Sequence, residues 1–269
     1  AAAFVLIYTF LGGFLAESAS DFMQAVVMVT VLVLILIMSV GAAGGLSAAI
    51  QHAEGLDGFF SLVQSAAPSA TEVDVFGAAK PYGVLSIVSC LAWGLGYFGM
   101  PQVLLRFMGI RSEKELKLSR RVAIVWVVIS MAVAVFIGIV GHAVSSAGRI
   151  PFLEGSATET VIVQLSNLLS KYGIFPAVVA GCILAGILAA TMSTADSQLL
   201  AASSAFSENI VQNVFGVKLT NKQNMLIARL TVVVIAVIAI FLAADPDSNV
   251  FKIVSFAWAG FGATFGPAM

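Results

Sequence analysis

Long apolar stretches without a charged residue dominate this sequence. The clearest is VVMVTVLVLILIM, Val26–Met38, in which the only polar side chain is a threonine. About 20 consecutive apolar residues cross a bilayer as a helix, and a helix satisfies its own backbone hydrogen bonds inside lipid. The stretch lacks the strict alternation of apolar and polar residues that a strand of a membrane barrel requires. The sequence therefore predicts an all-α, polytopic membrane protein.

The composition supports the same class and excludes several functions. Hydrophobic residues make up 60% of the chain and charged residues 10%, whereas soluble domains carry about 25% charged residues. The net charge of −1 gives no reason to expect a nucleic-acid partner. Cys90 and Cys182 lie in apolar runs and are interpreted as small core residues. His52 and His142 belong to no metal-binding or catalytic pattern, so no enzyme is predicted.

Six apolar segments are predicted to be membrane-spanning helices, and a seventh is predicted to begin near Val250. The first and the last are interpreted as truncated, so that residues 1–269 are an internal piece of a longer membrane protein. The six predicted spans are Ala1–Ala16, Phe22–Gly45, Val84–Met108, Val122–Val144, Ile174–Phe206 and Leu226–Ala244.

The distribution of Lys and Arg predicts the orientation of these spans. Nine of the 13 basic residues fall in the connections around 106–121 and 218–229, and four fall in the alternate connections. Cytoplasmic loops carry the excess of Lys and Arg in membrane proteins. The loop 106–121 is therefore predicted to be cytoplasmic, and its charge is interpreted as an orientation signal only.

Two connections on the opposite side are long enough to carry structure. In Leu46–Gly83, the segment that begins at Asp57 is predicted to be a short amphipathic helix followed by an irregular stretch that contains Pro68 and Pro81. The second connection shows a capping pattern at Ser156–Glu159 before an apolar helix face.

The span Val84–Met108 contains a cluster of helix-breaking residues near its middle. Gly94, Gly96 and Gly99 precede Pro101 in LAWGLGYFGMPQ. Glycine weakens a helix, and proline removes a hydrogen-bond donor and clashes with the preceding turn. The pattern predicts an interrupted helix of the kind that forms binding sites in secondary transporters, although a kinked structural helix fits it equally well.

Aromatic residues favour the binding interpretation of this interrupted helix. Trp93 and Tyr97 are four residues apart, which places them on one helix face. They predict a pocket with aromatic walls.

The span Ile174–Phe206 contains the polar stretch STADSQ in its middle. Ala190, Ser193, Thr194 and Ser197 share one helix face, and Asp196 adjoins it. Hydroxyl, carbonyl and carboxylate oxygens suit a weak, reversible site for a monovalent cation. The alternative is that the hydroxyls bond to carbonyls of their own helix and the aspartate is hydrated.

Further polar residues near the spans receive local interpretations. Ser203 and Ser204 are predicted to bond back to their own helix. Asp21 begins the span Phe22–Gly45 and is interpreted as a helix N-cap, as a residue of an ion path, or as both. Glu17 is interpreted as an interfacial residue.

Three long motifs carry a resemblance to a known family. GYFGMPQVLLRFMG at 96–109, ILAATMSTADSQLLAASSAFSENI at 187–210 and SFAWAGFGATFGP at 255–267 resemble the sodium:solute symporter family, and most closely its sodium/proline symporters. The resemblance covers essentially the whole chain in order.

The resemblance implies a fold, an activity and a location. The fold is the leucine-transporter type, with two inverted five-helix repeats, of which this chain covers late core helix 4 to core helix 10 as a single incomplete transporter domain. The activity is sodium-coupled uptake of L-proline in the cell membrane by alternating access. Alternatives are symport of another amino acid or an organic acid, and a transporter-like sensor domain. The implied partners are sodium, the small solute and the lipid bilayer, with no cofactor beyond the coupling ion.

The resemblance also implies site residues. Trp93, Tyr97 and Pro101 match residues of the proline site. The carbonyl of Ala190 and the hydroxyls of Ser193 and Thr194 match a sodium site that the first core helix, absent from this sequence, completes. Asp21 matches an aspartate tied to a further sodium site or to the inward exit of the ion. We hypothesise a second cation-attracting cluster near that exit, formed by Asp21, Ser193, Asp196 and Ser197.

Overall fold

The computed structural model describes the backbone of residues 2–243, 250–265 and 267, most of which is helical. The α-helices are α1 (Ala2–Ala42), α2 (Leu46–Glu54), α3 (Val84–Gly96), α4 (Pro101–Met108), α5 (Glu113–Ser146), α6 (Val161–Leu169), α7 (Ile174–Ser204), α8 (Asn221–Leu242) and α9 (Val250–Phe265). Two short strands, β1 (Gln64–Pro68) and β2 (Phe76–Pro81), lie in the connection between α2 and α3.

Five helical segments in the described part of the chain are long and apolar enough to cross a membrane. They are Gly13–Ala42, Val84–Met108, Glu113–Ser146, Ile174–Val214 and Asn221–Leu242. Three of them contain the predicted spans Val84–Met108, Val122–Val144 and Ile174–Phe206. The helix Asn221–Leu242 contains the predicted span Leu226–Ala244 only as far as Leu242, since Ala243 is its C-cap and Ala244 lies outside the described residues. The helices extend past the apolar runs because their backbone hydrogen bonds continue where the side chains become polar. The chain is a multi-pass membrane protein.

The boundary between the first two predicted spans, Ala1–Ala16 and Phe22–Gly45, lies at Gly13 and not between Ala16 and Phe22. The backbone leaves the helical conformation at Gly13 (φ 57°, ψ −149°) and is helical from there to Ala42. A positive φ is accessible to glycine at no steric cost, whereas the polar residues that follow can all be helical. Glu17 and Asp21 therefore lie inside a helix, and the interpretation of Asp21 as an N-cap is wrong.

The prediction of an interrupted helix is confirmed. α3 ends at Gly96, residues Tyr97–Gly99 form one 3₁₀ turn, and Met100 is extended (φ −78°, ψ 110°). Pro101 then begins α4 at a position where its missing N–H leaves no bond unmade. The proline also disfavours the α conformation of Met100, which fixes the position of the break.

By contrast, α7 runs without a break through STADSQ to Ser204 and continues as a π-helix over Ala205–Val214. Ser203 Oγ donates a hydrogen bond to the carbonyl of Leu200 at 2.9 Å, so its predicted back-bond is confirmed. Within STADSQ, the hydroxyls of Ser193 and Ser197 also contact side chains of α1.

The prediction for the connection Leu46–Gly83 is wrong in two respects. The short helix, α2, precedes Asp57, and the stretch predicted to be irregular contains the antiparallel hairpin β1–β2. Both prolines occur at strand ends, where Pro81 pairs with Gln64 and Pro68 with Phe76. Every strand of a two-stranded sheet is an edge, so a proline there costs no ladder bond.

The predicted cap at Ser156–Glu159 does not form. Residues Gly155–Thr160 are a 3₁₀ turn, and α6 begins after Thr160 without a side-chain cap. A capping box forms instead at the start of α8, where Thr220 and Gln223 bond reciprocally. The same spacing rule would have found this second box in the sequence TNKQ.

The chain comprises two compact units. The first consists of Ala1–Val27, Gly94–Leu116 and Ile187–Met269, and the second of Met28–Trp93 and Lys117–Gly186. The second unit contains an apolar core from α1, α5, α6 and α7. Its most deeply buried side chains include Ile35, Ile137, Val140, Val144, Leu165 and Ile183. The first unit contains the helix break and the polar side chains described next.

Candidate functional site

Polar side chains of α1 and α7 meet in the first unit. Ser193 Oγ donates to Asp21 Oδ1 at 2.6 Å, and Ser197 Oγ lies 2.7 Å from Glu17 Oε1. Ser197 Oγ also lies 2.9 Å from the carbonyl of Ser193. Glu17 and Asp21 are four residues apart in α1, and Ser193 and Ser197 are four residues apart in α7. Each helix therefore presents two polar side chains on one face at the same spacing.

Asp196 adds a third carboxylate to this cluster. Its side chain is fully buried, and its Oδ1 accepts a hydrogen bond from the backbone N–H of Ser197 at 2.7 Å. One carboxylate oxygen from each of Glu17, Asp21 and Asp196 lies within 4.8 Å of the others. The four residues of the hypothesised second cluster, Asp21, Ser193, Asp196 and Ser197, are thus brought together.

Glu17 was not predicted to belong to this cluster. The interpretation of Glu17 as an interfacial residue is wrong, because the residue is only 2% exposed and hydrogen-bonded at the centre of the cluster. The signal was present in the sequence. Glu17 precedes Asp21 by four residues, so a continuous helix places the two carboxylates on one face.

Arg106 of α4 provides the positive charge. Its Nη2 lies 3.0 Å from Glu17 Oε1 and 2.6 Å from Ser197 Oγ, and it also forms an ion pair with Asp21. Its interpretation as an orientation charge in a loop is incomplete, since it is a helical residue with two buried partners. Glu17 and Asp21 pair with this one guanidinium, and a carboxylate oxygen of Asp196 lies within 4.8 Å of theirs.

The other residues assigned to sodium binding lie on a neighbouring part of α7. Thr194 Oγ1 donates to the carbonyl of Ala190 at 3.2 Å. This is the helix back-bond of the alternative interpretation, although each oxygen keeps a lone pair for another ligand. Ser193 faces Asp21, whereas Thr194 is exposed.

The helix break packs against α9. The rings of Tyr97 and Trp258 meet edge to face with their centroids 5.6 Å apart. The ring centroids of Trp258 and Phe261 are 6.5 Å apart, also edge to face. Gly96 permits this approach, because a Cβ at that position would lie 2.5 Å from Trp258 Cδ1. Trp258 was not among the predicted site residues, although it is part of the motif SFAWAGFG.

The three residues assigned to the proline site are distributed over the break. Tyr97 lies in the 3₁₀ turn and is half exposed, and Pro101 is the first residue of α4. Trp93 lies in α3 and belongs to the second unit. Since α4 has only eight residues, Pro101 at its start and Arg106 near its end connect the break directly to the carboxylate cluster.

Comparisons with known proteins match the whole chain. The family model described as the sodium:solute symporter family matches residues 1–269. The osmoregulated proline transporter OpuE of Bacillus subtilis (strain 168) is 38% identical over 99% of this chain, and the high-affinity proline transporter PutP of the same organism is 36% identical over 98%. The sodium/proline symporter of Salmonella typhimurium (strain LT2) is 37% identical over 100%.

This chain spans about half the length of the curated relatives it matches: the alignments cover 50%, 51% and 50% of the three proteins. No solved structure gives a significant match.

Proposed function

Because the chain belongs to the sodium:solute symporter family, we propose that it is part of a carrier that couples the uptake of L-proline to the entry of sodium. One observation carries the proposal. Relatives named as proline transporters or sodium/proline symporters align with essentially the whole chain at 36–38% identity, so the similarity includes the helix break and the polar stretch of α7.

The proposed fold is the leucine-transporter type with two inverted repeats, in which this chain forms core helices 4 to 10 of one transporter domain. The interrupted helix α3–α4 supports it, because discontinuous helices form the midplane sites of such transporters. In this fold α3 and α4 are the broken first helix of the second repeat.

The proposed sodium site uses the carbonyl of Ala190 and the hydroxyls of Ser193 and Thr194, opposite a core helix that is not part of this chain. Sodium is a hard cation that prefers oxygen ligands. Neutral hydroxyl and carbonyl oxygens hold it weakly enough for release. The carboxylate cluster is the second cation-binding position in this proposal. It is formed by Asp21, Ser193, Asp196 and Ser197.

The proposed proline site is the helix break. The Tyr97 hydroxyl bonds the substrate, the Trp93 ring packs against it, and Pro101 keeps backbone groups of the break free to bind. Each ligand raises the affinity of the carrier for the other by the same factor, because coupling between two sites is reciprocal. One sodium ion contributes about 2.3 kcal/mol per 100 mV of membrane potential to uphill uptake.

Uptake of radiolabelled proline by the full-length protein tests this function. When the protein is expressed in cells that lack other proline carriers, we expect uptake of proline in sodium medium and none in potassium medium. Replacing Ser193→Ala together with Thr194→Ala removes two cation ligands. We expect the apparent sodium affinity to fall by about tenfold or more, the scale of a lost contact to a charge.

Ser203→Ala is the matched control, since Ser203 is on the same helix and its hydroxyl donates to the Leu200 carbonyl. We expect Ser203→Ala to leave the sodium dependence of uptake unchanged. Equal uptake in the two media, or a double variant with unaltered sodium affinity at equal amounts in the membrane, contradicts the proposal.

A further inference from the structure

Glu17 has a carboxylate oxygen that nothing in the described part of the chain satisfies. Oε1 contacts Ser197 and Arg106, whereas Oε2 is buried and has no hydrogen-bond partner among the described residues. Burial of an unsatisfied polar atom costs free energy, and buried carboxylates are normally paired or bound to a cation. The residue as a whole is 98% buried, so bulk solvent does not reach this oxygen.

The surroundings of Arg106 Nη2 have more acceptors than this nitrogen can serve. It contacts oxygens of Glu17, Asp21 and Ser197, and a guanidinium Nη carries only two N–H groups. A spherical cation has no such directional limit and accepts several oxygen ligands at once. The position of Nη2 is therefore an oxygen-lined place for a positive charge.

A further oxygen lies on the same face of α1. Glu17, Asp21 and Gln24 are related by four and seven residues, which are the intervals of one helix face. Gln24 Oε1 is also buried without a hydrogen-bond partner among the described residues. The face thus carries more unsatisfied oxygen than one guanidinium accounts for.

We propose that Glu17, with Asp21 and Asp196, binds an alkali cation, and that Arg106 is a tethered competitor that holds the cation's place when no ion is bound. The proposal rests on the proposed sodium coupling and adds Glu17 and Arg106 to the residues that take part in it. Entry of the ion displaces the guanidinium, and departure of the ion allows it to return. One positive charge replaces another, so the net charge of the cluster is the same at both stages.

The exposure of the partners permits this exchange. The Arg106 side chain is 47% exposed, whereas the Glu17 side chain is 3% exposed. The guanidinium can therefore move outward while the carboxylates remain in place. Because Arg106 is part of α4, its displacement also frees the helix that begins at the break, which connects cation binding to the proline site.

A fixed structural ion pair makes the opposite prediction for Arg106. If the guanidinium only holds α1 and α4 together, its loss weakens cation binding by loosening the site. If it competes with the ion, its loss strengthens cation binding. The sign of the change in sodium affinity distinguishes the two.

Binding of radioactive sodium to the purified full-length protein, in detergent and without proline, measures this sign. We expect Glu17→Gln to raise the sodium Kd by about tenfold, the scale of a lost contact to a charge. We expect Arg106→Gln to lower the Kd several-fold. The double variant removes one charge of each sign and is expected to lie near the wild-type protein, which keeps the test decisive if Arg106→Gln alone does not fold.

The matched controls are Glu208→Gln and Arg111→Gln, which make the same changes at exposed positions of the first unit and leave the Kd unaltered. If the wild-type protein binds sodium and Glu17→Gln binds it equally well, or if Arg106→Gln binds it less well, the inference is overturned while the proposed function stands. If the wild-type protein binds no sodium at all, both are overturned. Displacement of sodium by equimolar calcium would assign a divalent site and overturn the alkali assignment.

Discussion

Gly96 lies where the chain has no room for a side chain. A Cβ there would be 2.5 Å from Trp258 Cδ1 and 3.1 Å from the Trp258 carbonyl oxygen. The glycines of this segment weaken the helix, as the sequence indicates, but at Gly96 the close approach of α9 is the stronger requirement. That contact aligns the Tyr97 ring, edge to face, on Trp258.

We therefore expect Gly96→Ala to destabilise the protein by about 1–3 kcal/mol, the usual cost of overpacking a well-packed contact. A lower midpoint of thermal unfolding of the full-length protein in detergent measures this. Gly94→Ala is the control, because a Cβ at Gly94 meets nothing within 4 Å. Equal midpoints for the two variants would show that Gly96 is needed only for the break itself.

At the scale of elements, the unit that matters is the sequence α3, 3₁₀ turn, α4. The extended Met100 lies between the turn and α4, and its conformation is restricted by Pro101. Without the proline, Met100 can become helical and the two helices can merge toward a continuous one. The break would then lose the free backbone groups that make it a binding site.

Pro101→Ala is accordingly expected to lower the rate of proline uptake on the order of tenfold, or about 1.4 kcal/mol in barrier, at unchanged expression. Pro176→Ala is the matched control. Pro176 lies in the first turn of α7, where a missing N–H breaks no helical bond, so its replacement leaves uptake unchanged. Comparable losses in both variants, or full activity of Pro101→Ala, would contradict the assigned role of the break.

At the scale of the whole molecule, the five apolar helices found among the described residues and the positions of the basic residues determine the proposed orientation. Arg106 is engaged in ion pairs, which leaves Arg111, Lys114, Lys117, Arg120 and Arg121 as the charges of the predicted cytoplasmic loop. Their number still exceeds the four basic residues of the alternate connections, so the orientation argument does not depend on Arg106.

Single cysteines in full-length protein that lacks all others test this orientation. The test uses Ile110→Cys, Val217→Cys and Thr71→Cys. Ile110 and Val217 lie in the short connections before α5 and α8, and Thr71 lies in the connection between β1 and β2. A membrane-impermeant thiol reagent added to intact cells is expected to label Thr71→Cys alone, and all three after the membrane is permeabilised. Labelling of Ile110→Cys in intact cells would show that the orientation is the opposite of the predicted one.

Much of this architecture could be predicted from the sequence, because it depends on local chemistry. Apolar runs of sufficient length identify the spans, and glycines before Pro101 identify the interrupted helix. The prediction failed where a local rule had a competing solution. Acidic Glu17 and Asp21 suggested the boundary between two spans, although a glycine at positive φ, Gly13, makes the break.

The carboxylate cluster could be predicted only in part. The spacing of Ser193 and Ser197 on one helix and the acid at Asp21 were sufficient to suggest that these groups converge. Glu17 was not predicted because its role depends on the continuity of α1 from Gly13 to Ala42, which the polar residues around Glu17 did not indicate.

The sequence by itself thus determined the class of protein, its family, most of the spans and the site of the helix break, since each follows from residues close together in the chain. The tertiary structure alone decided that Arg106 pairs with Glu17, which lies 89 residues away. A contact over that distance depends on how three helices pack, and an exposed arginine in a basic segment looks the same in sequence whether or not it has buried partners.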